Sequence, residues 1–305
     1  MRLLSIVIPV YNSEACIEPL VDAIRAALEA LPYEVLLVND QSRDGSWDKI
    51  AERARRDRRV RGINLRKNSG QDNAIMAGLR HVNGDFVVIM DDDLQHAPQD
   101  IPLLLNGCEQ ARADVCFAAF GERRQAWWKE LGSRLNGLLA EVIIGKPRAI
   151  YLSPFKIIRR EVIDEIVKYD GPYPYVDGLL LTVTDNLTQV PVTHHARHAG
   201  RSNYNLVRSA IVMMKLATSF SVMPLRLASL LGFVTAAVGF SLGIYYLLEV
   251  LLLGKPVAGW PSLMCMMLFL GGMTLVSLGL IGEYLGRAYV RLNNRPQYTI
   301  KDITG

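Results

Sequence analysis

Asp85-Phe86-Val87-Val88-Ile89-Met90-Asp91-Asp92-Asp93-Leu94-Gln95 is the stretch that decides the fold. An unbroken apolar run leads straight into three carboxylates. A run without polar alternation is the pattern of a strand covered on both faces, as in a parallel sheet with helices on either side. The pattern recurs upstream. Leu3 to Val10 leads into Tyr11, Asn12 and Glu14; Glu34 to Asn39 leads into Asp40 and Asp44; Val60 to Leu65 leads into Lys67, Asn68 and Gly70. Between these runs Ile17, Leu20, Val21, Ile24, Leu28 and Leu31 recur at helical spacing, and Trp47 to Arg56 and Gln71 to His81 predict two more helices. Strands alternating with helices at this spacing predict an α/β fold with a doubly wound, mostly parallel sheet.

In such a sheet ligands bind beyond the carboxyl ends of the strands. The polar residues named above all fall there. No Gly-x-Gly-x-x-Gly follows the first strand and no Gly-x-x-x-x-Gly-Lys-Ser/Thr occurs, which makes dinucleotide and P-loop readings poor. Asp91 and Asp93, two apart at a strand end, can turn toward one hard cation with Gln95 beside them. Oxygen donors of this kind suit Mg²⁺ or Mn²⁺. Such an ion on a diphosphate neutralises a leaving group.

Half of the 305 residues are hydrophobic, and the excess lies at the C-terminal end. Leu227 to Leu253 carries one charge, Glu249, and Trp260 to Ile281 carries none. Both reach the roughly 20 apolar residues that a bilayer core requires of a helix. Gly254 to Gly259 between them is short enough only for a helical hairpin. Arg208, Lys215 and Arg226 precede the hairpin, Arg287, Arg291, Arg295 and Lys301 follow it, and the loop holds Lys255 alone. Positive flanks predict that both ends, and the N-terminal domain, lie in the cytoplasm. Asn205 to Met223 reads as an amphipathic helix on the membrane surface. The expected organisation is a globular domain at 1–204, an interface helix at 205–226, two transmembrane helices at 227–285 and a cytoplasmic tail at 286–305.

Met1 to Val10 lacks a signal-peptide layout. Cys16, Cys108, Cys116 and Cys265 form no paired spacing and read as reduced thiols. A net charge of +4 gives no case for nucleic-acid binding. The run Arg53, Arg55, Arg56, Arg58, Arg59 and Arg61 reads as a solvated helix end, with attraction to an anionic membrane surface as the alternative. His194, His195 and His198 read as neutral loop histidines rather than metal ligands.

Ser-Ile-Val-Ile-Pro-Val-Tyr-Asn (5–12), Val-Asn-Asp-Gln-Ser-Arg-Asp-Gly-Ser (38–46), Asn-Ser-Gly-Gln-Asp-Asn-Ala-Ile-Met-Ala-Gly-Leu (68–79) and Met-Asp-Asp-Asp-Leu-Gln-His-Ala-Pro (90–98) resemble family 2 glycosyltransferases of the GT-A fold. Arg-His-Ala-Gly-Arg-Ser-Asn-Tyr (197–204), Ser-Val-Met-Pro-Leu-Arg (221–226), Ile-Gly-Glu-Tyr-Leu-Gly-Arg (281–287) and Arg-Pro-Gln-Tyr (295–298) extend the resemblance from end to end. It points to the polyprenyl-phosphate branch, which includes dolichol-phosphate mannose synthase, bactoprenol glucosyl transferases and undecaprenyl-phosphate aminoarabinose (formamido-arabinose) transferase.

The resemblance implies transfer with inversion from a nucleotide sugar, by family majority a UDP-sugar, to polyprenyl phosphate at the bacterial inner membrane. The product would serve envelope glycan or lipid A modification, and family members can be homo-oligomeric. It also implies roles. Pro9 and Tyr11 would contact the base and Asp40 would hydrogen-bond it. Glu14 would take the ribose position, one residue later than usual, and Lys67 would approach the phosphates. Asp91 would sit near ribose or metal, and Asp93 with Gln95 would hold the metal. Arg123, Ser133, Arg134, Arg197, Arg201, Ser202 and Tyr204 would meet the lipid phosphate, for which arginine has the fitting geometry.

One departure stands out. Related enzymes often place an Asp near 152–158, where this chain reads Leu-Ser-Pro-Phe-Lys-Ile-Ile. A lipid phosphate is largely ionised at neutral pH, so positioning and leaving-group stabilisation can replace a base. Asp177 is a candidate catalytic group contacting sugar or acceptor; its structural alternative is a helix cap. Two rival functions are a processive polysaccharide synthase and a non-catalytic nucleotide-sugar sensor. Gln125-Ala126-Trp127-Trp128 does not fit the Gln-x-x-Arg-Trp of the first, and Asp91 with Asp93 argues against the second.

Overall fold

A computed structural model describes residues 2–120, 150–171, 174–192, 223–253, 259–293 and 296–305. The chain forms two compact units, Met1–Tyr204 with Asn294–Gly305, and Asn205–Asn293.

The apolar runs become strands. β1 (Leu4–Val10), β2 (Tyr33–Asn39), β3 (Val60–Leu65) and β4 (Phe86–Ile89) pair in parallel in the order β4-β1-β2-β3. Every residue of β1, β2 and β4 is buried, as expected of strands packed on both faces. The connecting helices are α1 (Glu14–Ala27), α2 (Ser46–Arg56) and α3 (Gln71–Leu79). α1 buries Ile17, Leu20, Val21 and Ile24, a face at the i, i+3, i+4, i+7 spacing. α3 lies close on the sheet because Gly78 has no side chain; a Cβ there would stand 2.5 Å from Val7 and 3.1 Å from Val38.

The chain moves outward from β1 through β2 to β3, then returns to set β4 on the other side of β1. The strand order therefore reverses between β1 and β4, the switch point where open sheets form ligand crevices.

Beyond β4 the sheet is mixed. After α4 (Ile101–Gln110) come β5 (Val115–Phe120), β6 (Lys156–Arg159), α5 (Arg160–Ile166), α6 (Val176–Val183) and β7 (Leu187–Val192). β6 inserts antiparallel between β4 and β5, and β7 closes that edge parallel to β5. α7 (Met223–Leu253) and α8 (Trp260–Leu292) follow, with apolar stretches at Leu225–Tyr245 and Phe269–Val290 long enough to cross a membrane.

The C-terminal end departs from expectation. The segment 286–305 is not a tail. α8 runs on to Leu292, and Ile300–Thr304 forms β8, antiparallel to β3 at the far edge of the sheet. Gln297, buried just before it, donates both to Tyr169 O at 3.1 Å and to Gly171 O at 2.7 Å.

Four of the six arginines at 53–61 make ion pairs, Arg61 with Glu34 at 3.6 Å. Arg53 bridges Glu18 and Asp22, Arg56 meets Glu52, and Arg59 meets Asp57. Arg53 is thereby mostly buried rather than solvated, while Arg56 and Arg59 stay exposed. Cys16, Cys108 and Cys116 are free thiols, and burial pushes the last two up to about 11 and about 12.

Gly78→Val forces a branched side chain into Val7 and Val38. We expect a loss of about 1–3 kcal/mol, read as a lower thermal midpoint of the solubilised protein.

Candidate active site

A cleft of about 420 Å³ opens at the switch point. Pro9, Val10, Tyr11, Asp40, Asn68, Gly70, Gln71, Asp91, Asp92 and Asp93 line it. Each comes from the end of a parallel strand, from the turn after it or, for Gln71, from the first position of α3.

The turns are held by backbone-directed hydrogen bonds. Asp40, buried at the end of β2, accepts the Ser69 N–H at 2.7 Å on one carboxylate oxygen and the Gly70 N–H at 2.8 Å on the other. Gly70 takes φ +92°, a conformation that side chains disfavour, and turns the chain into α3. Asn12, Gln41 and Leu94 also adopt positive φ, one shortly after each of β1, β2 and β4. For residues with a side chain this conformation costs roughly 1 kcal/mol or more, and it concentrates at functional turns.

The acidic triplet is drawn into the same frame. Gln71 Nε2 donates to Asp91 Oδ1 at 2.7 Å, the Tyr11 N–H to Asp92 Oδ2 at 3.3 Å, and the Gln95 N–H to Asp93 Oδ1 at 3.1 Å. Behind it His96 stacks on Phe155 and Phe120, and its Nδ1 accepts the Asp91 N–H at 3.2 Å. Burial, then repulsion from Asp93 and Asp92, pushes the Asp91 carboxyl up to about 6. Burial also raises Asp92. Crowded carboxylates that disfavour their own ionisation suit a bound cation.

The oxygen donor set fits Mg²⁺ or Mn²⁺. Among the described residues no group of three or more His, Cys, Asp or Glu is arranged to hold a metal unaided. That fits an ion of the Mg²⁺ type, which is commonly bound by one or two carboxylates with substrate phosphate and water completing the shell.

Of the residues expected in the site, Pro9, Tyr11, Asp40, Asp91 and Asp93 line the cleft. Glu14, Lys67, Gln95 and Asp177 are not in its lining. Glu14 opens α1, and its carboxylate accepts the Gly45 N–H at 3.0 Å. Asp177 is not a cap, since Tyr175 occupies that position; it lies in the first turn of α6, ion-paired with Lys156. Arg123, Ser133, Arg134, Arg197, Arg201, Ser202 and Tyr204 lie outside the described residues, as do His194, His195, His198 and most of the expected interface helix.

Gln71 and Asp92 were missed as site residues. The signal for Gln71 was its position opening the helix after β3; Asp92 was overlooked because strict alternation turns it away from Asp91 and Asp93.

Residues 5–167 match the family described as glycosyl transferase family 2, and 223–288 match the GtrB C-terminal hairpin. The undecaprenyl-phosphate 4-deoxy-4-formamido-L-arabinose transferase of Serratia proteamaculans is 32% identical over 100% of this chain and 95% of its own length. The enzyme of the same name from Aeromonas hydrophila is 33% identical over 99% and 94%.

The chain belongs to glycosyl transferase family 2.

It is a glycosyltransferase with a GT-A-like mixed sheet. Solved structures agree on the fold. Glucosyl-3-phosphoglycerate synthase of Mycobacterium tuberculosis superposes with a TM-score of 0.52 at 18% identity, over 71% of this chain and 78% of that one. The same enzyme in complex with Mn²⁺ and UDP-glucose gives 0.51 at 18% identity, over 72% and 77%.

Asp72, next to Gln71, also carries a displaced titration. Burial raises its carboxyl to about 6; the Val176 N–H and Lys156 oppose the rise and Asp177 adds to it. A carboxyl raised in the folded state binds its proton more tightly there, so stability falls as pH rises from about 4 to about 6. Asp72→Asn removes that penalty. The variant should gain thermal midpoint over the wild type, and the gain should be larger at pH 8 than at pH 5.

Proposed function

We propose that this glycosyltransferase moves a sugar from a nucleotide sugar, a UDP-sugar, to polyprenyl phosphate, with inversion at the anomeric carbon. The observation that carries the reading is the acidic triplet at the β1/β4 switch point, in a chain that also holds two helices long enough to cross a membrane. Relatives of full-length similarity are named as undecaprenyl-phosphate sugar transferases, which supports the acceptor class.

Pro9, Tyr11, Asp40 and Asn68 hold the base and ribose at the ends of β1 to β3, and the diphosphate lies toward Asp91 and Asp93. Lys67, on the turn after β3 beside the lining residue Asn68, reaches the phosphates, whereas Glu14 supports the ribose side indirectly by holding the Gly45 turn. Asp91 and Asp93, with Gln95, hold Mg²⁺ or Mn²⁺, which when bound offsets the charge of the departing nucleoside diphosphate. A lipid phosphate oxygen attacks the anomeric carbon as the bond to the diphosphate breaks. No proton need be removed from an ionised phosphate, which accounts for the missing carboxylate at 152–158. Arg123, Ser133, Arg134, Arg197, Arg201, Ser202 and Tyr204 receive the acceptor phosphate.

The connectivity supports a cytoplasmic catalytic domain at the inner membrane. The chain leaves the sheet after β7, passes through two apolar helices and returns as β8 to pair with β3. Two crossings bring a chain back to the side it left, and the basic flanks select the cytoplasm. The lipid-linked product would enter envelope glycan or lipid A modification.

Membranes containing the full chain, given labelled nucleotide sugars and a short polyprenyl phosphate, should yield a chloroform-soluble sugar phosphate lipid. Asp93→Ala should lower that yield at least 100-fold while the protein still fractionates with membranes. A labelled polymer would point to a processive synthase, and near-normal turnover by Asp93→Ala would refute the metal assignment.

A further inference from the structure

A second set of buried charges stands beside the acidic triplet, and the chemistry above leaves it unused. Lys156 opens β6 and pairs in register with Ile89, the last residue of β4. Its side chain is 4% exposed. The ammonium donates to Asp177 Oδ1 in the first turn of α6 and lies 5.6 Å from the centre of the Phe117 ring on β5. Asp72, in the first turn of α3, accepts the Val176 N–H at 3.3 Å, which ties α3 to the start of α6, and it feels the Lys156 charge. The neighbour of Asp72, Gln71, is the residue that holds Asp91. One buried lysine thus sits where β4, β6, α3 and α6 meet.

A buried ion pair is seldom the most stable filling for such a space, because desolvation offsets the attraction. An apolar side chain beside Phe117 would serve packing as well. The position suggests another use. The nucleotide-side residues Pro9, Tyr11, Asp40 and Asn68 belong to β1, β2 and β3 or the turns after them, and the acidic triplet follows β4. Lys156 comes from β6, across β4 from all of them. If the diphosphate lies at the end of β4, what is attached beyond it extends toward β6 and α6.

We propose that Lys156 is a positioning residue for sugar transfer: its ammonium fixes Asp177 and the first turn of α6 against the end of β4, and so sets the wall that meets the transferred sugar. The inference rests on the glycosyl-transfer reading. Lys156 acts through Asp177 and makes no bond to substrate itself.

The test is a double-mutant cycle in membranes containing the full chain, with Lys156→Met, Asp177→Asn and the pair combined. Turnover is measured with UDP-sugar donors and a short polyprenyl phosphate, and UDP binding with Mn²⁺ is measured separately. Each single variant should lower kcat at least 30-fold and change UDP affinity less than threefold. The double variant should be no more than threefold slower than the slower single, because both changes remove one arrangement. It also replaces the pair by neutral side chains of similar size, so it keeps the assay informative if Lys156→Met alone fails to fold.

Near-wild-type kcat in the double variant would overturn the inference, as would multiplicative losses or a parallel fall in UDP affinity. If these occur while the wild type makes sugar phosphate lipid, only the role of Lys156 falls. If the wild type itself transfers no sugar to the lipid, the functional reading fails and takes the inference with it.

Discussion

Three carboxylates at the end of one buried strand repel one another, and the N-terminal unit is arranged to hold them together. Asp91 is pushed up to about 6 by burial and by its neighbours. Left on a mobile loop, the three side chains would turn apart into water. They are instead pinned from several directions: Gln71 from α3, the Tyr11 N–H from the turn after β1, the Gln95 N–H from their own turn, and His96 on the Asp91 backbone. Each pin needs its own element in place. α3 must approach closely, which Gly78 permits; β1 must neighbour β4, which the reversal of strand order provides; His96 must be wedged against Phe155 and Phe120. The positive φ at Asn12 and Leu94 belongs to the same compromise, because the turns on either side of the triplet accept backbone cost to keep donors aimed inward.

The parts legible in the sequence were those with a local signature. Long apolar runs named β1 to β4, and helical spacing named the face of α1. The polar residues after each run marked the cleft, because the rule linking strand ends to ligands needs only strand order. The illegible parts depend on partners far along the chain. β6 is four residues long, Lys156 to Arg159, with charges at both ends, and has no period of its own. β8 pairs with β3 across more than two hundred residues, and its pattern Ile-Lys-Asp-Ile-Thr reads as an ordinary polar tail until that edge is available. Gln71, Asp72 and Lys156 failed for the same reason, since what matters about each is a contact between elements. Glu14 shows the converse. A motif shifted by one residue places the carboxylate on the first turn of α1, where it caps the Gly45 turn and lies outside the cleft lining.

The return of the chain as β8 changes how the hairpin should be regarded. A terminal anchor can be removed without touching the domain it tethers. Here the residues beyond α8 complete the sheet edge beside β3, and Gln297 holds the backbone at Tyr169 and Gly171, just ahead of α6. The globular unit therefore cannot be finished until the hairpin has been made, and the strand that seals it follows both apolar helices in the chain. Asn64 accepts from the buried Asn39 Nδ2 at 2.8 Å and donates to Asp302 on β8 at 3.3 Å, so the polar interior of the β2–β3 edge also depends on that late strand.

On the proposed reading this arrangement separates two demands. Every residue lining the nucleotide-side cleft belongs to the N-terminal unit, so donor recognition needs only strand ends and the turns that hydrogen bonds hold beside them. An acceptor with a long isoprenoid chain cannot be met that way, because its apolar part stays in the bilayer and only its phosphate is free to approach. A domain bound to the membrane at both ends of a hairpin is confined near that phosphate, which replaces a search in three dimensions by one along a surface. Confinement fixes proximity but not orientation. On that reading the acceptor phosphate is oriented by its basic contacts and the sugar by the flank of the sheet beyond β4, where β6 and α6 are joined through a buried lysine, so the acidic triplet is one part of the site among three.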